Sequence, residues 1–244
     1  TVSEALDLHQ RVNRPNVMIK VPGTKAGVSA FEELTAAGVN VNVTLLFSVN
    51  RYLEIVQAYL NGLEKRLAGD KPIKGQTSVA SFFISRVDSA VDKALEEQNN
   101  TSLQGKIAIA NARIAYGHFE NIFHSDKFKR FAELGAFPQR LLWASTGTKN
   151  PSYSDVLYIE QLIGPETVNT VPPATLDAFR DHGVVAQTLK ADLPEAHQML
   201  EQLTATGIDL RAITDKLEKD GVEAFCVAFD ELLDSLKTKR ESLT

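Results

Sequence analysis

Lys20 stands inside the apolar run VMIKVP (17–22), and the next apolar run, VNVNVTLLF (39–47), sets Asn42 and Thr44 among valines. A lysine amine freed of its proton attacks ketones and aldehydes, and burial in an apolar setting disfavours the charged form. The residue therefore admits two readings. One is a nucleophilic amine that forms an imine; the other is a strand-end lysine reaching solvent or pairing with a carboxylate. Asn42 and Thr44, at matching depth on the neighbouring run, could position a water and the imine, which favours the first.

The remaining reactive side chains offer less. His9, His118, His124, His182 and His197 are scattered without metal-ligand spacing and read as surface or helix-end residues. The single cysteine, Cys226, excludes an internal disulfide and the usual zinc spacings, and it reads as a small buried apolar residue of a helix. Tyr116, Phe119 and Phe123 form a helical stripe suited to a core, and Asp88 and Asp155 read as surface or helix-start residues. No metal site is expected.

Short apolar runs alternate with longer amphipathic ones. Strands are predicted at 16–21, 39–47, 78–84, 140–145 and 167–171. Helices are predicted at about 25–37, 49–68, 86–98, 106–123, 153–162 and 173–182, with two or three more over 190–240. Such alternation implies parallel pairing through right-handed crossovers. Neither a GxGxxG nor a GxxxxGK[ST] phosphate loop is present. In the second strand Asn40, Asn42 and Thr44 oppose Val39, Val41, Val43 and Leu45. Polar side chains on one face of a strand flanked by helices need an interior to serve, and a barrel lumen supplies it. Asn42, Thr44, Ser81, Arg86 and Ser145 all fall at or near strand ends, where such barrels keep their sites. The expected fold is a TIM-type α/β barrel, read as one domain over 1–244 with about five of eight strand–helix units.

The chain has 244 residues, 43% hydrophobic and 23% charged, with a formal net charge of −5. No basic stripe points to nucleic acid, and no apolar run approaches membrane-spanning length. A cytoplasmic protein acting on a small molecule is expected. The opening TVSEALDLHQRVNRPN begins with Thr1 and reads as the middle or end of a helix, so the chain looks truncated at its N-terminus.

The segment VMIKVPGTKAGVSAFEELTAAGVNVNVTLLFS (17–48) resembles the active-lysine signature of the transaldolases. It is followed in that family's order by TSVASFFISRVDSAVD, LLWASTGTKNPSYSD and TVNTVPPATLDAF. The resemblance covers nearly the whole chain and is nearest to the longer bacterial type. It implies a class I aldolase-like barrel with Lys20 as the Schiff-base lysine on the fourth strand. Asn42 and Thr44 match residues that contact substrate and the catalytic water, and Ser81 and Phe83 match pocket lining. Arg86 matches a phosphate-binding arginine and Ser145 a pocket serine. Where many members carry a second phosphate-binding arginine, this chain has Gly147, and Lys149 is the substitute.

The implied reaction is transfer of a dihydroxyacetone unit between sugar phosphates, a step of the pentose phosphate pathway, with no metal or organic cofactor. The family's three preceding strand–helix units, with an acid/base aspartate and a water-activating glutamate, are not in this sequence. The lysine without them should be a poor catalyst, and the missing segment or a second copy of the chain is the expected partner. Two alternatives stand beside transfer: a class I aldolase without it, or a non-catalytic fragment that binds sugar phosphate or a partner chain.

Overall fold

On one face of the strands Val21, Val41, Val43, Ala80, Phe82, Leu141 and Trp143 are almost wholly withdrawn from water, and this sets the layers. The computed structural model describes residues 1–242. Five strands form one sheet: β1 (Ile19–Pro22), β2 (Val41–Leu46), β3 (Ser78–Phe83), β4 (Gln139–Ala144) and β5 (Val168–Asn169). All neighbouring pairs are parallel and the order is β1-β2-β3-β4-β5. All five expected strands are present, in chain order. Those at the two sheet edges are shorter than their apolar runs suggested.

Helices α1 (Val2–Val12), α2 (Lys25–Ala37), α3 (Val49–Ala68), α4 (Ser85–Glu97) and α5 (Ile107–Phe123) come first. They are followed by α6 (Asp126–Glu133), α7 (Leu157–Gln161), α8 (Pro173–His182), α9 (Leu193–Ala205) and α10 (Leu210–Glu241). Local chemistry starts several of them. The hydroxyls of Thr24 and Ser48 accept from the backbone N–H groups of Gly27 and Arg51, capping α2 and α3. Helix α6 was not anticipated. Ser125 caps it, and it buries Phe128 and Phe131, too short a pattern to stand out beside the long helix before it.

Val41, Val43, Ala80, Phe82, Leu141 and Trp143 face the helices and are buried with Phe31, Leu34, Tyr52, Ile55 and Tyr59. Each such side chain contributes about 1.5–3 kcal/mol of transfer free energy. Phe82 lies edge-on to both Tyr52 and Trp143, at centroid distances of 6.5 and 6.3 Å. The opposite face carries Lys20, Asn42, Ser81 and Arg140, and Lys20 and Arg140 are exposed. One sheet face lies under helices and the other, open at Lys20 and Arg140 while Val79, Ser81 and Leu142 on it are buried, makes an arc of a barrel wall. This agrees with the barrel read from the alternation at Asn40, Asn42 and Thr44.

The join between β1 and α2 depends on two glycines. A Cβ at Gly23 would lie 2.3 Å from Leu46 Cδ2, and one at Gly27 only 1.8 Å from the Pro22 carbonyl oxygen. Gly27 admits no side chain because backbone stands in the way, and one at Gly23 would displace the buried Leu46, so the helix folds back directly over the lysine strand.

Helix α10 crosses near the end of β2, where a Cβ at Gly221 would be 2.9 Å from Leu45 Cδ2. Its second half departs from the sequence reading. Cys226, expected in a core, is exposed, as are Phe225, Phe229, Leu232 and Leu236. Apolar residues at helical spacing identified the helix correctly, but that stretch has run past the elements that bury its first half. Among the described residues no helix is long and apolar enough to cross a membrane.

Candidate functional site

β1 and β2 pair so that Lys20 is level with Asn42 and Pro22 with Thr44. In a parallel pair, residues at one level send their side chains to the same face, so Lys20 shares the open face with Asn42. The Ser81 hydroxyl on β3 donates to Asn42 Oδ1 at 2.7 Å, which leaves the two Nδ2 donors for a group in front of the sheet. Thr44 is 4% exposed, and its Oγ1 has no hydrogen-bond partner among the described residues. Buried hydroxyls are seldom left so, and an unsatisfied one beside two other polar side chains marks a place for water or ligand.

The strand ends are bent to make this mouth. The register of β2 shifts between Val43 and Leu46, and Leu45 there has φ 60°. Ser145, just past β4, has φ 59°. Both are left-handed conformations that cost a non-glycine residue about 1–3 kcal/mol, and bulges next to sites re-aim side chains in this way.

Lys20 departs from expectation in its surroundings. The apolar burial anticipated for it is absent: β1 is an edge strand, and the side chain is exposed on the open face. Its Nζ lies 5.9 Å from the centroid of the Phe225 ring on α10. No local pattern in the sequence could have announced that neighbour, because contact between such distant segments is decided by how α10 crosses the sheet. The Arg51 guanidinium bonds Glu218 at 3.1 Å and ties α10 to α3 about two helical turns before Phe225.

Phe83 closes β3 on the same face as Ser81, and its ring packs against Phe47 at 5.1 Å. Arg86 extends from the first turn of α4 with its guanidinium carbon 5.2 Å above the Phe83 ring and is exposed. Ser145 meets that turn directly. Its hydroxyl lies 2.8 Å from Ser85 Oγ, and its carbonyl accepts from the Ser85 N–H. Arg86 and Ser145 are thus brought together through Ser85.

Lys149 is not brought to them. It lines a cleft with Ser89, Asp92, Lys93, Glu96, Asn150, Tyr153 and Tyr158, along the flank of α4. The chain reaches that cleft because Thr146 is held to Asn169 at 2.8 Å and Gly147 is closed in by Pro172, 3.3 Å from where a Cβ would stand.

Asp88 overturns its reading as a surface residue. It is 1% exposed, accepting from Ala108 N–H at 2.7 Å and from the Tyr158 hydroxyl at 2.9 Å. Burial pushes its pKa up to about 7, against the opposing pull of those two hydrogen bonds; the nearby Asp92 adds to the rise. Asp155, as anticipated, is exposed and pairs with His182, whose pKa is raised by that carboxylate and by Asp181.

A carboxylate raised in the folded state favours folding below its unfolded value of 3.8, and that contribution disappears as pH rises through about 7. The stability of Asp88→Asn relative to the unmodified protein should therefore climb between pH 4 and pH 8, by up to about 4 kcal/mol. Urea unfolding of both proteins across that range measures it, and a flat difference would contradict the burial of the charge.

Among the described residues no group of three or more His, Cys, Asp or Glu side chains is placed to hold a metal ion. What the open face presents is an amine, an amide and two hydroxyls, with a guanidinium at its rim. That set can bind a polyhydroxylated carbonyl compound bearing a phosphate.

Comparison with known proteins agrees with this chemistry. A family model described as transaldolase/fructose-6-phosphate aldolase matches residues 1–236. The chain is 46% identical over 258 aligned positions to transaldolase 2 of a Nostoc species, an alignment covering 100% of this chain and 68% of that protein. It is 49% identical to a transaldolase of Saccharopolyspora erythraea, covering 100% and 66%. With transaldolase 1 of Streptomyces coelicolor it shares 47% identity, covering 99% and 65%. The chain spans about two thirds of the length of these relatives. Sequence identity at this level over the full strand–helix series, on a sheet that presents a lysine and an asparagine at one rung, leaves one assignment: the chain belongs to the transaldolase/fructose-6-phosphate aldolase family.

Proposed function

We propose that the protein transfers a dihydroxyacetone unit between sugar phosphates through an imine on Lys20. The amine adds to the ketone of fructose 6-phosphate or sedoheptulose 7-phosphate and water leaves. The resulting iminium draws electrons from the bond between carbons three and four, which breaks to release an aldose phosphate. The enamine left on Lys20 then attacks glyceraldehyde 3-phosphate or erythrose 4-phosphate. Hydrolysis of the new iminium returns the free amine.

In this reading Asn42, oriented by Ser81, holds a substrate hydroxyl, and the unpartnered Thr44 hydroxyl holds the water of imine formation and hydrolysis. Phe83 and Ser145 line the pocket. Arg86 holds the phosphate, far enough from the reacting carbons for binding energy to orient them. Lys149 serves as a second phosphate cation in the reading, though its cleft along α4 sets it apart from Arg86. None of the side chains named on the open face is a carboxylate, so the acid/base role is given to none of them. Residues 1–244 are treated as one domain acting in the cytoplasm, with the family's remaining strand–helix units or a second copy as its partner.

The observation that carries the proposal is the rung shared by Lys20 and Asn42, with a buried, unsatisfied Thr44 hydroxyl one step beyond. The family description also includes an aldolase, in which the enamine is protonated and dihydroxyacetone leaves. Incubation of the intact protein with fructose 6-phosphate and erythrose 4-phosphate separates the two. Sedoheptulose 7-phosphate is the expected product, with free dihydroxyacetone a minor one. Dihydroxyacetone as the main product, unaffected by erythrose 4-phosphate, would establish the aldolase instead.

A further inference from the structure

Helix α4 has two working faces. Arg86 leaves one of them for the open end of the site, while Asp88 and Asp92, a turn apart, share the buried one. Each carboxylate divides its oxygens in the same way. Asp88 accepts from Ala108 N–H and from the Tyr158 hydroxyl; Asp92 accepts from Gly105 N–H at 3.0 Å and from the Tyr153 hydroxyl at 2.7 Å. One oxygen of each thus holds the start of α5, and the other holds the segment that begins at Ser145.

We propose that Asp88 and Asp92 are positioning residues for the phosphate end of the site, acting through Tyr158 and Tyr153 to hold segment 145–158 in register with Arg86. The inference rests on the reading of Arg86 and Ser145 as phosphate and pocket groups. Two carboxylates one turn apart, 1% and 6% exposed, are an expensive way to secure a helix that apolar residues could secure as well. Directional bonds supply what apolar packing does not, a single lateral setting of the segment. That segment leaves β4 through a left-handed Ser145, whose hydroxyl and carbonyl both bond Ser85, and after Gly147 and Lys149 the two tyrosine hydroxyls tie its far end to the same helix. The paired hydrogen bonds of Ser85 with Ser145 join the same two elements at the end nearest the substrate.

The test is the paired change Tyr153→Phe and Tyr158→Phe in the intact protein, which removes both hydroxyls and keeps both rings. Two quantities are read: the dissociation constant for inorganic phosphate, from the phosphate-dependent shift in Tm, and the rate of borohydride-trapped labelling of Lys20 by dihydroxyacetone, which has no phosphate. Phosphate binding should weaken roughly tenfold or more, because a small misplacement is costly at an oriented site. Labelling should stay within about twofold, since these residues act on the far end only.

Equal phosphate affinity in the two proteins, a parallel fall of both quantities, or no phosphate binding by the unmodified protein would each overturn the inference. Should the double variant fail to fold, Tyr153→Phe alone, whose ring is only half-buried, is judged by the same criteria. Loss of labelling in the unmodified protein rejects the Schiff base and leaves the positioning role to be decided on phosphate affinity.

Discussion

Sodium borohydride added to the intact protein with fructose 6-phosphate is expected to leave a three-carbon amine on Lys20 alone. Reduction converts the imine nitrogen to a stable secondary amine, so peptide mapping finds the mass on the segment around 17–24. Lys25, at the start of α2, and Lys149, in the cleft beside α4, are nearby lysines that should stay unmodified. Lys20→Arg should abolish the adduct and reduce turnover on the order of 10⁴-fold or more, the scale seen when a covalent nucleophile is removed. Arginine keeps the positive charge but stays protonated and cannot form the imine. A label on Lys149 would mean that the catalytic and phosphate ends have been exchanged. Full turnover by Lys20→Arg would exclude the mechanism.

The second large effect belongs to Arg86. Arg86→Ala should raise KM for fructose 6-phosphate by roughly 10- to 100-fold, the equivalent of one charge-assisted hydrogen bond of about 1.5–3 kcal/mol. KM for unphosphorylated dihydroxyacetone should change little, because the guanidinium lies above Phe83 at the rim and not among Lys20, Asn42 and Ser81. Arg86→Lys should recover part of the loss, since an ammonium restores charge but not the two-pronged geometry that matches a phosphate. Equal increases for both substrates would show that Arg86 supports the pocket as a whole and is not a phosphate group.

These expectations draw unequally on sequence and structure. The strands, their order and their parallel sense were legible because period-two alternation and strand–helix succession are local patterns with one common packing solution. The face of β2 was legible for the same reason: Asn42 and Thr44 interrupt a run of valines, and a strand has only two faces.

Other features depended on contacts between distant segments. The exposure of Lys20 follows from β1 being a sheet edge among the described residues, which no property of VMIKVP announces. Asp88 looked like a helix-start carboxylate because local patterning ranks an aspartate in a first turn as solvated. Only the approach of Ala108 and Tyr158 from two other elements makes it a buried, bridging group near neutrality. Lys149 sits close to Ser145 in sequence, yet the holds on Thr146 and Gly147 carry it to a separate cleft.

The helical spacing around Cys226 reads as that of a buried residue, yet Cys226 is exposed. The spacing is a true property of α10, but burial needs a second surface, and among the described residues the helix has outrun it. The sequence by itself therefore determined which side chains could face a common interior and carry an amine's chemistry. The tertiary structure decided which of them meet, because periodicity sets the direction of a side chain while only packing between elements sets what lies in front of it.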